Sequence, residues 1–152
     1  MSNFYEEIKG LIKFISIIDR NNSPIVFFNF DNKDMEIQFQ IICYSSIDFL
    51  ERNSQRNNYL GLLFSFFENK IEFGSFGYVG NNGIKICIIK ELKNDDAINE
   101  KMNVICKNIY SQYINLLLNP FFDSKEFNNS NSEQKKKFGE NIIELMKKNQ
   151  LT

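Results

Sequence analysis

The chain has 152 residues and a formal charge of -1, from 18 basic and 19 acidic side chains. That length suits one domain, and the charge balance argues against nucleic acid or an acidic membrane surface as a partner. Histidine is absent, which removes the Ser-His-Asp and Cys-His nucleophile systems and histidine-based metal sites.

At this size roughly 70% of the unfolded surface can be buried, so no disulfide or metal is needed to hold a core. Three cysteines, Cys43, Cys87 and Cys106, lie among apolar neighbours without a CxxC spacing and read as small buried hydrophobes. Residues 1–10 are polar and acidic, unlike a secretory leader, and with the odd cysteine count this predicts a reducing, cytosolic setting. No apolar run reaches the length of about 20 residues that a membrane-spanning helix needs.

In chain order, residues 1–9 read as an extension to a single domain. Residues 11–18 (LIKFISII) then have the β-branched and aromatic content of a buried strand. Turn chemistry at 19–24 leads to a second strand at 25–30, so the two form an antiparallel hairpin. Asp34 is the expected N-cap of a helix running to about Arg52. Met35, Phe39, Ile42, Ser46 and Phe49 share a face of that helix, widened by Ile37 and Ile41, so that it lies flat on a sheet.

After a polar connector at 53–58, residues 59–92 read as three strands. Turn signals at 68–70 and 80–83 divide them, and Gly and Asn there tolerate the positive φ of tight hairpins. Gly74, Gly77, Gly80 and Gly83 follow at every third position within and after a strand, which predicts bulges and a turn rather than a phosphate loop. A connector at 92–96, acidic through Asp95 and Asp96, opens a second helix marked by Ile98, Met102, Ile105, Ile109, Tyr113 and Leu116.

Asn119-Pro120 stops this second helix, and the simplest reading has Phe121 and Phe122 fold back onto the core. A loop at 121–131 follows, whose asparagines read as solvated drift. A capping box of Ser130 and Glu133 is expected to start a third helix with Phe138, Ile142, Leu145 and Met146 on its apolar face. Lys135, Lys136 and Lys137 are read as its solvated side.

The element order ββαβββαα predicts an α+β fold with a five-stranded, mostly antiparallel sheet in the order 2-1-5-4-3, one helix on one face and two on the other. Its edges are the second and third strands. An edge at 59–67 carrying Leu60, Leu62, Leu63, Phe64, Phe66 and Phe67 needs cover, either from the chain's own helices and loops or from a partner. Carboxylates cluster only at helix starts and loops. Asp48 is the exception worth following: late in the first helix among Ser45, Ser46, Ile47 and Phe49, it must face solvent or a partner, because an unpaired buried carboxylate is too costly.

These residues resemble the sedlin-type subunits of the TRAPP vesicle-tethering complex. The resemblance runs from about Ile12 to the last helix. It rests on Ser45-Ser46-Ile47-Asp48, on Tyr59-Leu60-Gly61-Leu62-Leu63, on Gly77-Tyr78-Val79, and on Asn119-Pro120-Phe121-Phe122. Within the family the Tyr-Leu-Gly-Leu-Leu run and the Gly-Tyr-Val turn look more like the sedlin-like branch (subunit 2-like) than sedlin itself.

The resemblance implies a longin (profilin-like) fold and a non-catalytic adaptor without cofactor or metal. Its partners would be other TRAPP subunits, both the core helical ones and a large one, with Rab GTPases served indirectly through nucleotide exchange. Such an adaptor would work between endoplasmic reticulum and Golgi and within the Golgi, cytoplasmic and peripheral to those membranes. By the same resemblance Asp48 is a partner-binding acid, with Ser45, Phe49, Tyr59, Phe64 and Phe66 as its expected neighbours in that role. Longin chains of SNAREs or small coat adaptors fit the motifs less well, and an enzyme would have only the three thiols as nucleophiles.

Overall fold

The computed structural model describes residues 12–53, 58–93, 96–129 and 132–148. The expected extension at 1–9, Asp95, Ser130 and most of the 53–58 connector lie outside the described residues. The elements are β1 (Ile12–Ile18), β2 (Pro24–Asn29), α1 (Glu36–Asn53), β3 (Tyr59–Glu68), β4 (Ile71–Val79), β5 (Lys85–Glu91), α2 (Ile98–Leu117) and α3 (Glu133–Lys148). All strand pairs are antiparallel, in the order β2-β1-β5-β4-β3. This is the longin arrangement expected from the sequence, with β2 and β3 as edges.

The core follows from the two-residue alternation of side chains along each strand. Ile15, Ile17, Ile86, Ile88, Phe76 and Tyr78 form one apolar cluster with Met102, Ile105 and Ile109 of α2 and Phe138 and Ile142 of α3. Phe14, Phe73, Cys87 and Ile89 form the other with Phe39 and Cys43 of α1. The central strands are therefore apolar at nearly every position rather than at every second one, because both faces are covered. All three cysteines are buried and free.

The two-residue turn between β3 and β4 has Asn69 at φ 51° and Lys70 at φ 68°, the left-handed pair that matches strand twist in a tight hairpin. In the β4–β5 turn Gly83 alone takes a positive φ, 87°, while its amide donates to the Gly80 carbonyl at 2.9 Å.

Several expectations need correction. Helix α1 is not capped by Asp34: the Asn32 side chain caps a preceding 3-10 turn, Lys33–Met35, by accepting from the Asp34 amide, and the α-helix begins at Glu36. Its sheet face is Phe39, Cys43, Ser46 and Leu50, whereas Ile37 is 71% and Ile41 60% exposed. Both sets keep helical spacing, so the sequence offers two apolar stripes; the sheet takes the one with the smaller residues Cys43 and Ser46, which let the helix approach.

The glycines of β4 are packing sites, not bulges; the register shifts lie in β3, between Tyr59 and Gly61 and between Leu62 and Phe64. A Cβ on Gly74 would run into Leu62 and Leu92, and one on Gly77 into Leu50 and Leu63; in the turn beyond, one on Gly80 would meet the Tyr110 ring. Ser132 precedes the first residue of α3, and its Oγ accepts from the Lys135 amide at 3.3 Å; the expected box partner Ser130 lies outside the described residues.

The loop after α2 also differs. Phe122 packs on Tyr113 and on Phe127, but Phe121 is 90% exposed. The side chain that plugs the core is Phe127, fully buried against Tyr113, Phe122 and Phe138. Asn128 is not drift: its Oδ1 accepts from the Phe27 amide at 3.2 Å and from Lys135 Nζ at 3.0 Å. Lys135 is accordingly half-buried rather than solvated, with its ammonium 5.1 Å from the Phe27 ring centroid, and desolvation holds its pKa below the usual lysine value. One amide of the β2 edge is thus capped by the chain's own loop.

Candidate partner surface

The C-terminal half of α1 carries the residues singled out for contact. Ser46 is wholly buried, and its Oγ donates to the Ile42 carbonyl at 2.9 Å. With that proton committed, Ser75 Oγ must be the donor in the 3.4 Å pair with Ser46. Ser75 Oγ also accepts from the Phe64 amide at 3.2 Å, beside the register shift in β3. Two small hydroxyls thereby lock α1 to β3 and β4 and fix which side chains of this turn point outward.

Those are Ser45 and Asp48, both exposed. Ser45 donates to the Ile41 carbonyl, and among the described residues none pairs with Asp48. Phe49, 41% exposed, meets Phe64 edge to face with ring centroids 4.8 Å apart. Farther back along the helix, Ile37, Ile41 and Tyr44 are exposed at 71%, 60% and 45%. The spacing 37, 41, 44, 48 is one outward stripe, apolar for three positions and acidic at the last.

The Glu51 carboxylate accepts from Asn22 Nδ2 at 2.7 Å and lies 3.9 Å from the buried Lys85 ammonium. This joins the end of α1 to the β1–β2 turn and to β5, so the outward stripe sits on a braced helix.

The strand residues expected to join this surface are placed differently. Phe66 is half-buried on the α1 face, between Phe39 and Phe73. Tyr59 packs against the cluster on the opposite face, and its hydroxyl donates to Asn99 Oδ1 at 2.8 Å, with burial pushing the phenol's pKa up. Ser45, Asp48, Phe49 and Phe64 therefore come together, and Tyr59 does not join them. The sequence reading assigned Ile37 and Ile41 to the sheet-facing stripe and did not single out Tyr44, whereas Leu62 and Phe67 of the expected apolar edge are indeed exposed, at 50% and 70%. The regular i, i+4, i+7 recurrence of the first three was the available signal.

A second feature is an open cleft of about 560 Å³ lined by Asn58, Tyr59, Tyr78, Asn103 and Lys107. Amides, phenols and one ammonium give it hydrogen-bonding capacity but no nucleophile paired with a base. Among the described residues no group of three or more His, Cys, Asp or Glu side chains is placed to hold a metal. Nor is any described helix long and apolar enough to cross a membrane.

Desolvation raises the thiols of Cys43 and Cys106 well above their ordinary pKa. The folded protein is accordingly expected to resist iodoacetamide at pH 8 at all three buried cysteines, with labelling appearing only on addition of denaturant. Fast modification of any one in the native state, measured by mass spectrometry, would contradict this placement.

Residues 17–148 match the model of one protein family, Sedlin. The chain belongs to the Sedlin family. The match runs from the end of β1 through α3 and includes both the Asp48 stripe and the α2–α3 loop. Among curated proteins none matches the chain. Membership places this sedlin-family chain among TRAPP-type trafficking subunits, which are generally structural rather than catalytic.

Proposed function

We propose that the protein is a non-catalytic adaptor, a single longin-like domain that joins other TRAPP subunits into a vesicle-tethering assembly. The observation that carries this reading is the family match over residues 17–148. The outward stripe of α1, ending in Asp48, which has no partner among the described residues, supplies a surface for it. The partners are the core helical TRAPP subunits and a large TRAPP subunit. The assembly they build promotes nucleotide exchange on Rab GTPases during transport from endoplasmic reticulum to Golgi and within the Golgi. The chain then acts from the cytoplasm, peripheral to those membranes, and belongs with the sedlin-like (subunit 2-like) branch.

Ser45, Asp48, Phe49 and Phe64 form the contact in this reading, with Tyr59 and Phe66 supporting the strand behind it. Asp48→Tyr is expected to weaken capture of recombinant TRAPP subunits by at least about tenfold, because a bulky ring replaces a carboxylate at an interface anchor. Its melting temperature should stay near that of the wild type, since an exposed substitution typically shifts stability by no more than about 0.5 kcal/mol. Pull-down titration and thermal melting check the two halves; unaltered capture by the variant sinks the assignment of this surface.

A further inference from the structure

The loop after α2 presents two large apolar side chains to solvent within four residues: Leu118 is 77% and Phe121 90% exposed, and Leu117 beside them is 44% exposed. This exposure is built into the backbone. Asn119 Oδ1 accepts from the Phe121 amide and the Asn119 carbonyl from the Phe122 amide, each at 3.0 Å, while Pro120 fixes its own φ. Phe122, on the other side of the turn, is pinned to Tyr113 and Phe127, so Phe121 is held away from the core.

The segment that carries this tip has a small acidic excess. The last turn of α2 holds no basic residue to offset its carbonyl end. Asp123 and Glu126 are exposed just beyond, opposed only by Lys125 in that stretch.

We propose that this turn is a docking tip that inserts Phe121 and Leu118 into a concave apolar pocket, rimmed by Lys or Arg, on another TRAPP subunit. The proposal rests on the reading of the chain as a TRAPP adaptor and adds a second contact, remote in sequence from Asp48. A convex, pre-ordered aromatic loses little conformational freedom on insertion, and buried aromatic anchors carry most of the energy of an interface. Asp123 and Glu126, against the single Lys125, match a basic rim better than an acidic one.

The test compares wild type, the double variant Leu118→Ser/Phe121→Ser and Asp48→Tyr, each as the full chain, titrated against individual recombinant TRAPP subunits, with melting temperatures and self-association measured alongside. Expected is a loss of at least about tenfold in affinity of the tip variant for one subunit at an unchanged melting temperature, while added salt weakens wild type and variant alike by screening the acids beside the tip. If the tip variant binds every subunit like wild type while Asp48→Tyr does not, the tip is not a contact and the adaptor reading stands. Failure of the wild type to bind any subunit removes the adaptor reading and the tip with it. Self-association of the wild type that the tip variant loses would overturn the proposed occupant in favour of a second copy.

Discussion

Phe127→Ala is expected to be among the most damaging single substitutions in the chain, lowering stability by about 3–5 kcal/mol, the usual cost of truncating a buried aromatic. Phe127 is wholly buried although it lies in a loop. Its ring stacks on Tyr113 at 6.1 Å between centroids and meets Phe122 and Phe138 edge to face at 5.2 and 5.7 Å. It thereby joins α2, α3 and the loop between them.

Alanine would leave a cavity at that junction and also loosen Asn128, the next residue, which caps one β2 edge amide by accepting from Phe27. For a chain of this size each kcal/mol is worth about 2–4 °C, so the melting temperature should fall by roughly 10 °C. Phe121→Ala, six positions away and 90% exposed, should leave it almost unchanged. Equal effects from the two substitutions would mean that the loop is threaded differently.

Gly77→Val is the second large effect. The backbone of Gly77 needs no positive φ, so the constraint is space alone. A Cβ there would sit closer to Leu50 Cδ2 than real Cβ atoms approach and 2.7 Å from Leu63 Cδ1. Leu50 is itself wholly buried, so it cannot swing into solvent, and the added bulk must lift α1 off β4. Overpacking of this kind costs about 1–3 kcal/mol.

The diagnostic measurement is the double variant Gly77→Val/Leu50→Ala. Vacating the Leu50 side chain gives the valine room, so the double should be more stable than the sum of the two single losses allows. Strict additivity in urea denaturation would rule out the Gly77–Leu50 contact as the cause. Because α1 carries Asp48, Gly77→Val should also weaken partner capture, and the double variant should partly restore it.

The parts of the fold legible in the sequence share one physical basis. β1 and the β3–β5 meander could be read because β-branched and aromatic runs end at Asn- and Gly-bearing turns, a local signal. Helices α2 and α3 were legible for the same reason: Met102, Ile105 and Ile109, then Phe138 and Ile142, keep a helical period against one face. Sheet order followed from these once the long α1 had to cross between the hairpin and the meander. The Ser45 to Asp48 segment and the Asn-Pro-Phe-aromatic element could be recognised as a family pattern, but not placed in space.

What tertiary structure decided were choices between locally equivalent alternatives. Helix α1 has two apolar stripes of similar period, and only the close approach of the sheet, allowed by Gly77, Cys43 and Ser46, buries one and leaves Ile37, Ile41 and Tyr44 outside. Phe121, Phe122 and Phe127 are alike as residues; which of them enters the core depends on the direction the Asn119 turn gives the chain and on the rings of Tyr113 and Phe138 waiting there. Asn128 and Lys135 look like surface residues until the unpaired amide of Phe27 brings them together. Composition, charge and periodicity are properties of neighbours along the chain, and they determined the elements and the absence of histidine chemistry. The outward faces, where a partner would bind, depend on contacts between residues far apart in sequence, and only the packed structure assigns them.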